Sequence, residues 1–265
     1  MSEADRFRIA TSLLHDGTTP WANLGLWQSP GQDYVSAAIA LADRHWQLAA
    51  PSPGARLLDA GCGHGASLRH WLSHDPTLQL TALECQPACL QRLVQDGWDP
   101  INARFDSLPL PAALPAGSQD VMLCVDAAYH ARSLHDFARF AAQVLRPGGV
   151  LVFSTLLVDP AAPAATRLTL RAAGIPAGSQ ISPEQLPAVL ARAGLRLTDN
   201  LDLDAADDGV LAGFAAFTSR RARALTTRQR LSAGWLKIAM TGRLCERLSR
   251  QGQVRYALLR AVRED

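Results

Sequence analysis

Leu57-Leu58-Asp59-Ala60-Gly61-Cys62-Gly63-His64-Gly65 is the stretch on which the reading of this chain turns. Two buried-type aliphatics and an acid end a strand, and the G-x-G-x-G that follows lets the backbone bend sharply with no side chain between its amides and a ligand. Residues 66–73, ASLRHWLS, continue as the helix leaving that bend. A dinucleotide site asks for G-x-G-x-x-G to cradle a pyrophosphate. The shorter glycine spacing after Asp59 points instead to a nucleoside without phosphates. Glu84 closes the next strand, LQLTALE, 19 residues after Gly65. An acid there can accept both hydroxyls of a ribose.

Outward from this turn, strands and helices alternate. QPACLQRLVQDG reads as a helix, INARFD as a third short strand, SQDVMLCVD as a fourth and SLHDFARFAAQVL as the helix after it. RPGG reads as a turn before a fifth strand, VLVFST. Strict alternation from Ala55 to Thr155 implies parallel pairing through right-handed crossovers, hence an α/β, Rossmann-like, doubly wound sheet with ligands beyond the carboxyl ends of its strands. Upstream, Val35, Ile39, Ala42 and Trp46 recur at helical spacing to Leu48. Downstream, residues 158–181 are rich in Pro, Gly and Ala and read as a lid or substrate wall. A serine-capped helix over 182–193, a sixth strand LRLTDNLDL, helices near Ala205–Arg221 and Thr226–Ser249, and a seventh strand QVRYALLRAV complete the chain.

The 265 residues suit one domain: N-terminal helices and lid over 1–50, a cofactor-binding core over 51–157, an insertion with strand six and cap helices over 158–250, and a last strand over 251–265. Hydrophobic residues make up 48% and charged residues 19%, a soluble globular balance that excludes a disordered chain. No apolar run approaches the roughly 20 residues of a spanning helix, so no membrane association is expected, and the N-terminus lacks a secretion signal. A cytoplasmic location is the expectation. The five cysteines lack the paired spacing of a disulfide framework or zinc site and read as reduced thiols. Cys85 and Cys89 have no second pair facing them. His70 and His74, four apart on a helix, lack a third ligand in the sequence and read as surface residues, so no metal is expected.

The sequence LLDAGCGHG, the acid of LTALE, Asp106 in RFDSLPLP, and VLRPGGVLVFS together resemble class I S-adenosylmethionine-dependent methyltransferases, particularly the small-molecule, type 11-like group, over roughly Asn23 to Phe153. The resemblance implies a seven-stranded sheet of order 3-2-1-4-5-7-6 with strand seven antiparallel and a helical cap. It implies S-adenosyl-L-methionine as cofactor, S-adenosyl-L-homocysteine as product, and a small-molecule acceptor methylated at oxygen or nitrogen. Asp59, Gly61, Cys62 and Gly63 would face the methionine part, Glu84 with Cys85 the ribose, and Asp106 with Ser107 the adenine. Asp126-Ala127-Ala128-Tyr129-His130 would lie at the mouth of the site, with Asp126 toward the cofactor, Tyr129 toward the acceptor and His130 as acceptor contact and candidate general base. An imidazole of ordinary pKa, about 6.5, suits that proton transfer near neutrality. Trp21 to Trp27 resembles the NLGYW-like entry segment of that group, giving Trp27 as a cofactor contact and Tyr34 as an acceptor contact, since aromatic faces suit a sulfonium. Trp235, with Phe214 and Phe217 in the C-terminal cap, reads first as core packing and second as an apolar acceptor wall, which makes Trp235 a candidate acceptor contact.

Two other readings stay open. Residues 219–265 hold 12 Lys/Arg against 3 Asp/Glu, a local +9 in a chain of net charge +2, which could meet nucleic acid. The basic residues alternate with apolar ones at helical spacing, and DAAYH lacks the (N/D/S)PP(Y/F) element of enzymes that methylate adenine or cytosine amines, so nucleic acid is not the expected partner. The remaining alternative is a catalytically silent binding protein on the same fold.

Overall fold

The computed structural model describes residues 10–15, 20–204 and 209–265. Its seven-stranded sheet has the order β3-β2-β1-β4-β5-β7-β6. Strands β1 (Arg56–Ala60), β2 (Gln79–Glu84), β3 (Ile101–Asn102), β4 (Gln119–Cys124) and β5 (Leu145–Val158) pair in parallel, and β7 (Val254–Arg263) runs antiparallel between β5 and β6 (Leu195–Asp202). Fold class, strand order and the antiparallel last strand therefore agree with the sequence reading. β1 and β4 are the strands where the order reverses, so the groove of a doubly wound sheet opens above their carboxyl ends.

After a short N-terminal turn of helix, α1 (Thr11–Leu14), helices cover both faces. On one, α2 (Tyr34–Ala49) and α3 (Ala66–His74) share a cluster with α8 (Val210–Ala224) and α10 (Ala233–Gln251). α4 (Pro87–Gln95) joins α3 and β2 in a smaller one. On the other face α5 (Leu134–Val144) and α7 (Leu186–Ala191) bury Phe137, Phe140 and Leu190 against Leu151 and Phe153. Alternation along the central strands feeds both: Leu57 enters the first cluster and Leu58 the second.

Several boundaries depart from the reading. The third strand keeps only two residues, because residues 103–106 leave the sheet edge and turn over the groove. RPGG lies within β5 as a bulge: Gln119 opposes Leu145 while Val121 opposes Val150. The insertion carries α6 (Ala164–Ala172), and α7 starts three residues later than a Ser182 cap requires, with Gln185 at its N-cap. The expected helix over 226–249 is broken into α9 (Thr227–Arg230) and α10, because Ser232 turns out of helix and caps α10 through Trp235 N–H at 3.2 Å. The expected start of α8 at 205–208 lies outside the described residues. No helix among the described residues is long and apolar enough to cross a membrane.

Candidate active site

A cavity of about 290 Å³ opens above the carboxyl ends of β1, β2 and β4. Its floor is the glycine bend. Gly61 has φ 77°, and a Cβ there would meet Phe105 at 3.0 Å and Ala127 at 3.1 Å. Gly63 has φ 57° and nothing within 4 Å of an added Cβ, so its bare backbone borders open space. The structure brings Asp59, Gly61, Cys62, Gly63, Glu84, Cys85, Asp126, Tyr129 and His130 together around this one cavity.

The acids are held by distinct partners. Glu84 accepts from the amides of Gly63 at 2.9 Å, Cys85 at 2.7 Å and Gln86 at 2.9 Å, so its carboxylate is fixed in place at the end of β2. Asp59 accepts from Trp71 Nε1 at 2.8 Å, and burial pushes its carboxyl up to about 6. Asp126 has φ 56°, uncommon for a residue with a side chain. Its Oδ1 accepts from Tyr129 Oη at 2.6 Å and Tyr256 Oη at 2.8 Å, and its Oδ2 from the Leu24 amide at 2.7 Å. Burial pushes this carboxyl up to about 6 as well. Three carboxyl groups around one cavity, two of them costly to keep ionised, suit a cationic ligand and oppose a pyrophosphate.

The roof is the segment from Pro20 to Leu24. The Asp126 carboxylate holds it at Leu24, and Tyr34 Oη donates to the Asn23 carbonyl at 2.7 Å. Apolar walls come from the cap: Ile175 after α6, Leu211 and Phe214 of α8, and Ile238, Leu244 and Leu248 of α10. His130 lies between the two parts. Its Nδ1 is 3.0 Å from the Gly174 carbonyl, an acceptor that demands N–H at Nδ1 and so assigns the neutral ring's lone pair to Nε2.

Five expected contacts fall outside the cavity lining. Asp106 is fully covered by Arg104, which donates to both its oxygens at 2.8 and 2.7 Å, and by the Arg132 amide at 2.6 Å. Arg104 and Phe105 line the cavity in its stead, and Ser107 follows Asp106 away from it. Trp27 is 4% exposed, stacked on Phe217 with ring centroids 5.0 Å apart, and its Nε1 donates to the Leu24 carbonyl. It braces the roof from behind. Tyr34 does the same from α2, and Trp235 packs into the core from the first turn of α10. Sequence reasoning singled out the 21–27 segment but chose Trp27 from it, where Trp21 and Leu24 line the cavity, and it missed Arg104, Phe105 and the Tyr256 phenol. Phe105 was legible as an aromatic beside the acid sought after strand three; Tyr256 came from a strand 130 residues from Asp126 and gave no local signal.

Residues 34–200 match the model of a methyltransferase domain, and the chain belongs to that family of S-adenosylmethionine-dependent enzymes. It is 31% identical over 211 residues to a ubiquinone biosynthesis O-methyltransferase of Xanthomonas oryzae pv. oryzae, covering 75% of this chain and 82% of that protein. Among solved structures it resembles a geranyl diphosphate C-methyltransferase from Streptomyces coelicolor in complex with geranyl diphosphate and S-adenosyl-L-homocysteine, with TM-score 0.71, 16% identity and coverage of 99% and 98% of the two chains. A cyclopropane synthase from Mycobacterium tuberculosis superposes with TM-score 0.74, 18% identity and coverage of 99% and 95%. These structural likenesses concern the fold.

Proposed function

We propose that this enzyme methylates a hydroxyl oxygen on a small molecule with a largely apolar body. The observation that carries the proposal is the joining, in one cavity, of a polar half built from Asp59, Gly63 and Glu84 with an apolar half built from the cap, His130 standing between them. The residues present fit S-adenosylmethionine. The Glu84 carboxylate suits a ribose diol, the open face of Gly63 admits a ligand against bare backbone, and the acid-lined cavity suits ammonium and sulfonium groups. When bound, the cofactor supplies a methyl group already activated on sulfur.

The chain's own work is then positioning, water exclusion and proton removal. The cap and roof hold the acceptor so that its oxygen faces the activated methyl. His130, oriented by Gly174, would take the acceptor's proton on Nε2 as the acceptor oxygen receives the methyl group. The name of the Xanthomonas relative, an O-methyltransferase of ubiquinone biosynthesis, supports oxygen as the nucleophile. Five cysteines without a disulfide support a reducing, cytoplasmic setting.

The test is methyl transfer to a panel of phenols with alkyl or isoprenoid tails, the same phenols without tails, and amines of matched shape. Transfer to the tailed phenols is expected, with His130→Ala lowering kcat by about a hundredfold or more, the usual yield of a general base. Transfer confined to amines or to the tail-less phenols would refute the proposal.

A further inference from the structure

Away from the cavity, α2 and α3 bring three ligating side chains to one point. His70 and His74 lie one turn apart on α3, and Asp43 approaches from α2. Nε2 of His70 is 2.7 Å and Nε2 of His74 is 3.0 Å from the same Asp43 Oδ1, and the two Nε2 atoms are 3.2 Å apart. The third ligand that the spacing of His70 and His74 could not reveal is supplied by the fold.

The triangle is near the size of a coordination face. A tetrahedral cation with bonds of about 2.0–2.1 Å holds its ligand atoms about 3.3–3.4 Å apart, so the nitrogen–nitrogen edge of 3.2 Å nearly fits, while the edges of 2.7 and 3.0 Å to Asp43 must open by roughly 0.3–0.7 Å to admit the ion. If both rings donate to Asp43 Oδ1, their two N–H groups crowd each other across 3.2 Å, a conflict that a shared cation would remove. The rings are also held in place: Trp46 stacks on His74 at 4.8 Å, and Trp21 meets His70 edge-on at 5.7 Å. His70 is nearly covered and His74 one-third exposed, which leaves one side open for water as a fourth ligand.

We propose that Asp43, His70 and His74 bind a divalent transition-metal ion of the zinc class. Two imidazoles and one carboxylate match the ligand preference of Zn²⁺ and its neighbours and mismatch that of Mg²⁺ or Ca²⁺, which take oxygen. The ion clips α2 to α3. The clip lies directly behind the cofactor half of the cavity, since Trp21 lines the cavity and Trp71, next to His70, holds Asp59. This inference is independent of the proposed reaction.

The experiment uses untagged, chelator-treated protein titrated with Zn²⁺ by calorimetry and with Co²⁺ by visible absorption. One equivalent is expected, with the spectrum of nitrogen and oxygen ligation. His74→Ala and Asp43→Asn should each weaken binding by more than about tenfold, the least that even outer partners of a ligand cost. Zn²⁺ should raise the melting temperature of the parent protein and leave both variants unmoved. The competing donors are Cys89 and His64, whose sulfur and ring nitrogens lie 3.8–3.9 Å apart. A thiolate charge-transfer band, loss of binding in Cys89→Ser, binding that survives both His74→Ala and Asp43→Asn, or no binding at all would overturn the proposal.

Discussion

Replacing Asp126 should loosen the roof of the cavity without dismantling the fold, and the two informative variants differ by several kcal/mol. Asp126→Asn keeps a residue that tolerates φ 56° and keeps one acceptor oxygen. If its amide NH₂ faces the phenols of Tyr129 and Tyr256, which can accept, its oxygen still serves Leu24 N–H. The charge on those hydrogen bonds is already contained in the shift: with them in place the pKa still rises from 3.8 to about 6, so ionisation costs about 3 kcal/mol net at neutral pH, and the neutral amide relieves it. Asp126→Asn should therefore leave the protein at least as stable as the parent at neutral pH. Asp126→Ala leaves the Leu24 amide without an acceptor, about 1–3 kcal/mol, and puts alanine in a left-handed conformation, about 1–2 kcal/mol. Because Leu24 and Trp21 line the cavity, part of that loss should be read in ligand affinity: about tenfold weaker S-adenosylhomocysteine binding for Ala, less than about threefold for Asn. Calorimetry and chymotryptic cleavage between Trp21 and Trp27 measure both effects. An Ala variant that binds as tightly as the parent and resists cleavage equally would refute the role given to Asp126.

Acid has opposing effects on named groups. Asp59 and Asp126 have folded pKa values of about 6 against 3.8 unfolded, so the folded state binds more protons between those values and each group's contribution to stability rises as pH falls from 7 toward 4. Urea unfolding from pH 8 to 4 should show the stability of Asp126→Asn relative to the parent falling steadily toward acid. His45 acts with the opposite sign. Burial depresses it from 6.5 to about 4, so its contribution is lost as pH falls through that range, by about 3 kcal/mol, and His45→Leu should flatten the acid limb. Glu84→Gln should weaken S-adenosylhomocysteine binding by about 10–100-fold, the value of losing charge-assisted hydrogen bonds, and should lower the melting temperature, because three amides lose a charged acceptor. Gly213→Ala would place a Cβ 2.2 Å from the Trp27 ring, and thermal melts should register an overpacking cost of about 1–3 kcal/mol.

What the sequence made legible was the part written in local rules. The run Leu57 to Gly65 combines strand alternation with glycines at positive φ, and Glu84 sits at a fixed distance along one crossover, so the floor and the doubly wound fold could be read directly, while the strand order followed only from the resemblance to the methyltransferase family. Asp106 shows the limit. An acid after strand three is visible in the sequence, but whether it faces the groove depends on where the strand leaves the sheet, and β3 ends at Asn102, early enough to turn Arg104 and Phe105 inward. Trp27 shows another. An aromatic in the entry segment can contact a ligand or brace the segment, and the choice is made by Gly213 and Phe217 on a helix nearly two hundred residues away. The Asp43–His70–His74 cluster escaped for the same reason: two of its side chains share a helix face, while the third depends on how α2 crosses α3.

The central claim is that the bend at Gly61 and Gly63 receives a cationic amino-acid nucleoside. A crystal structure grown with S-adenosylhomocysteine tests it most directly. The account predicts ribose hydroxyls on the Glu84 carboxylate, the adenine beside Phe105 and the sulfur on the side of His130. Ligand density elsewhere on the surface, or a ribose turned away from Glu84, would contradict it.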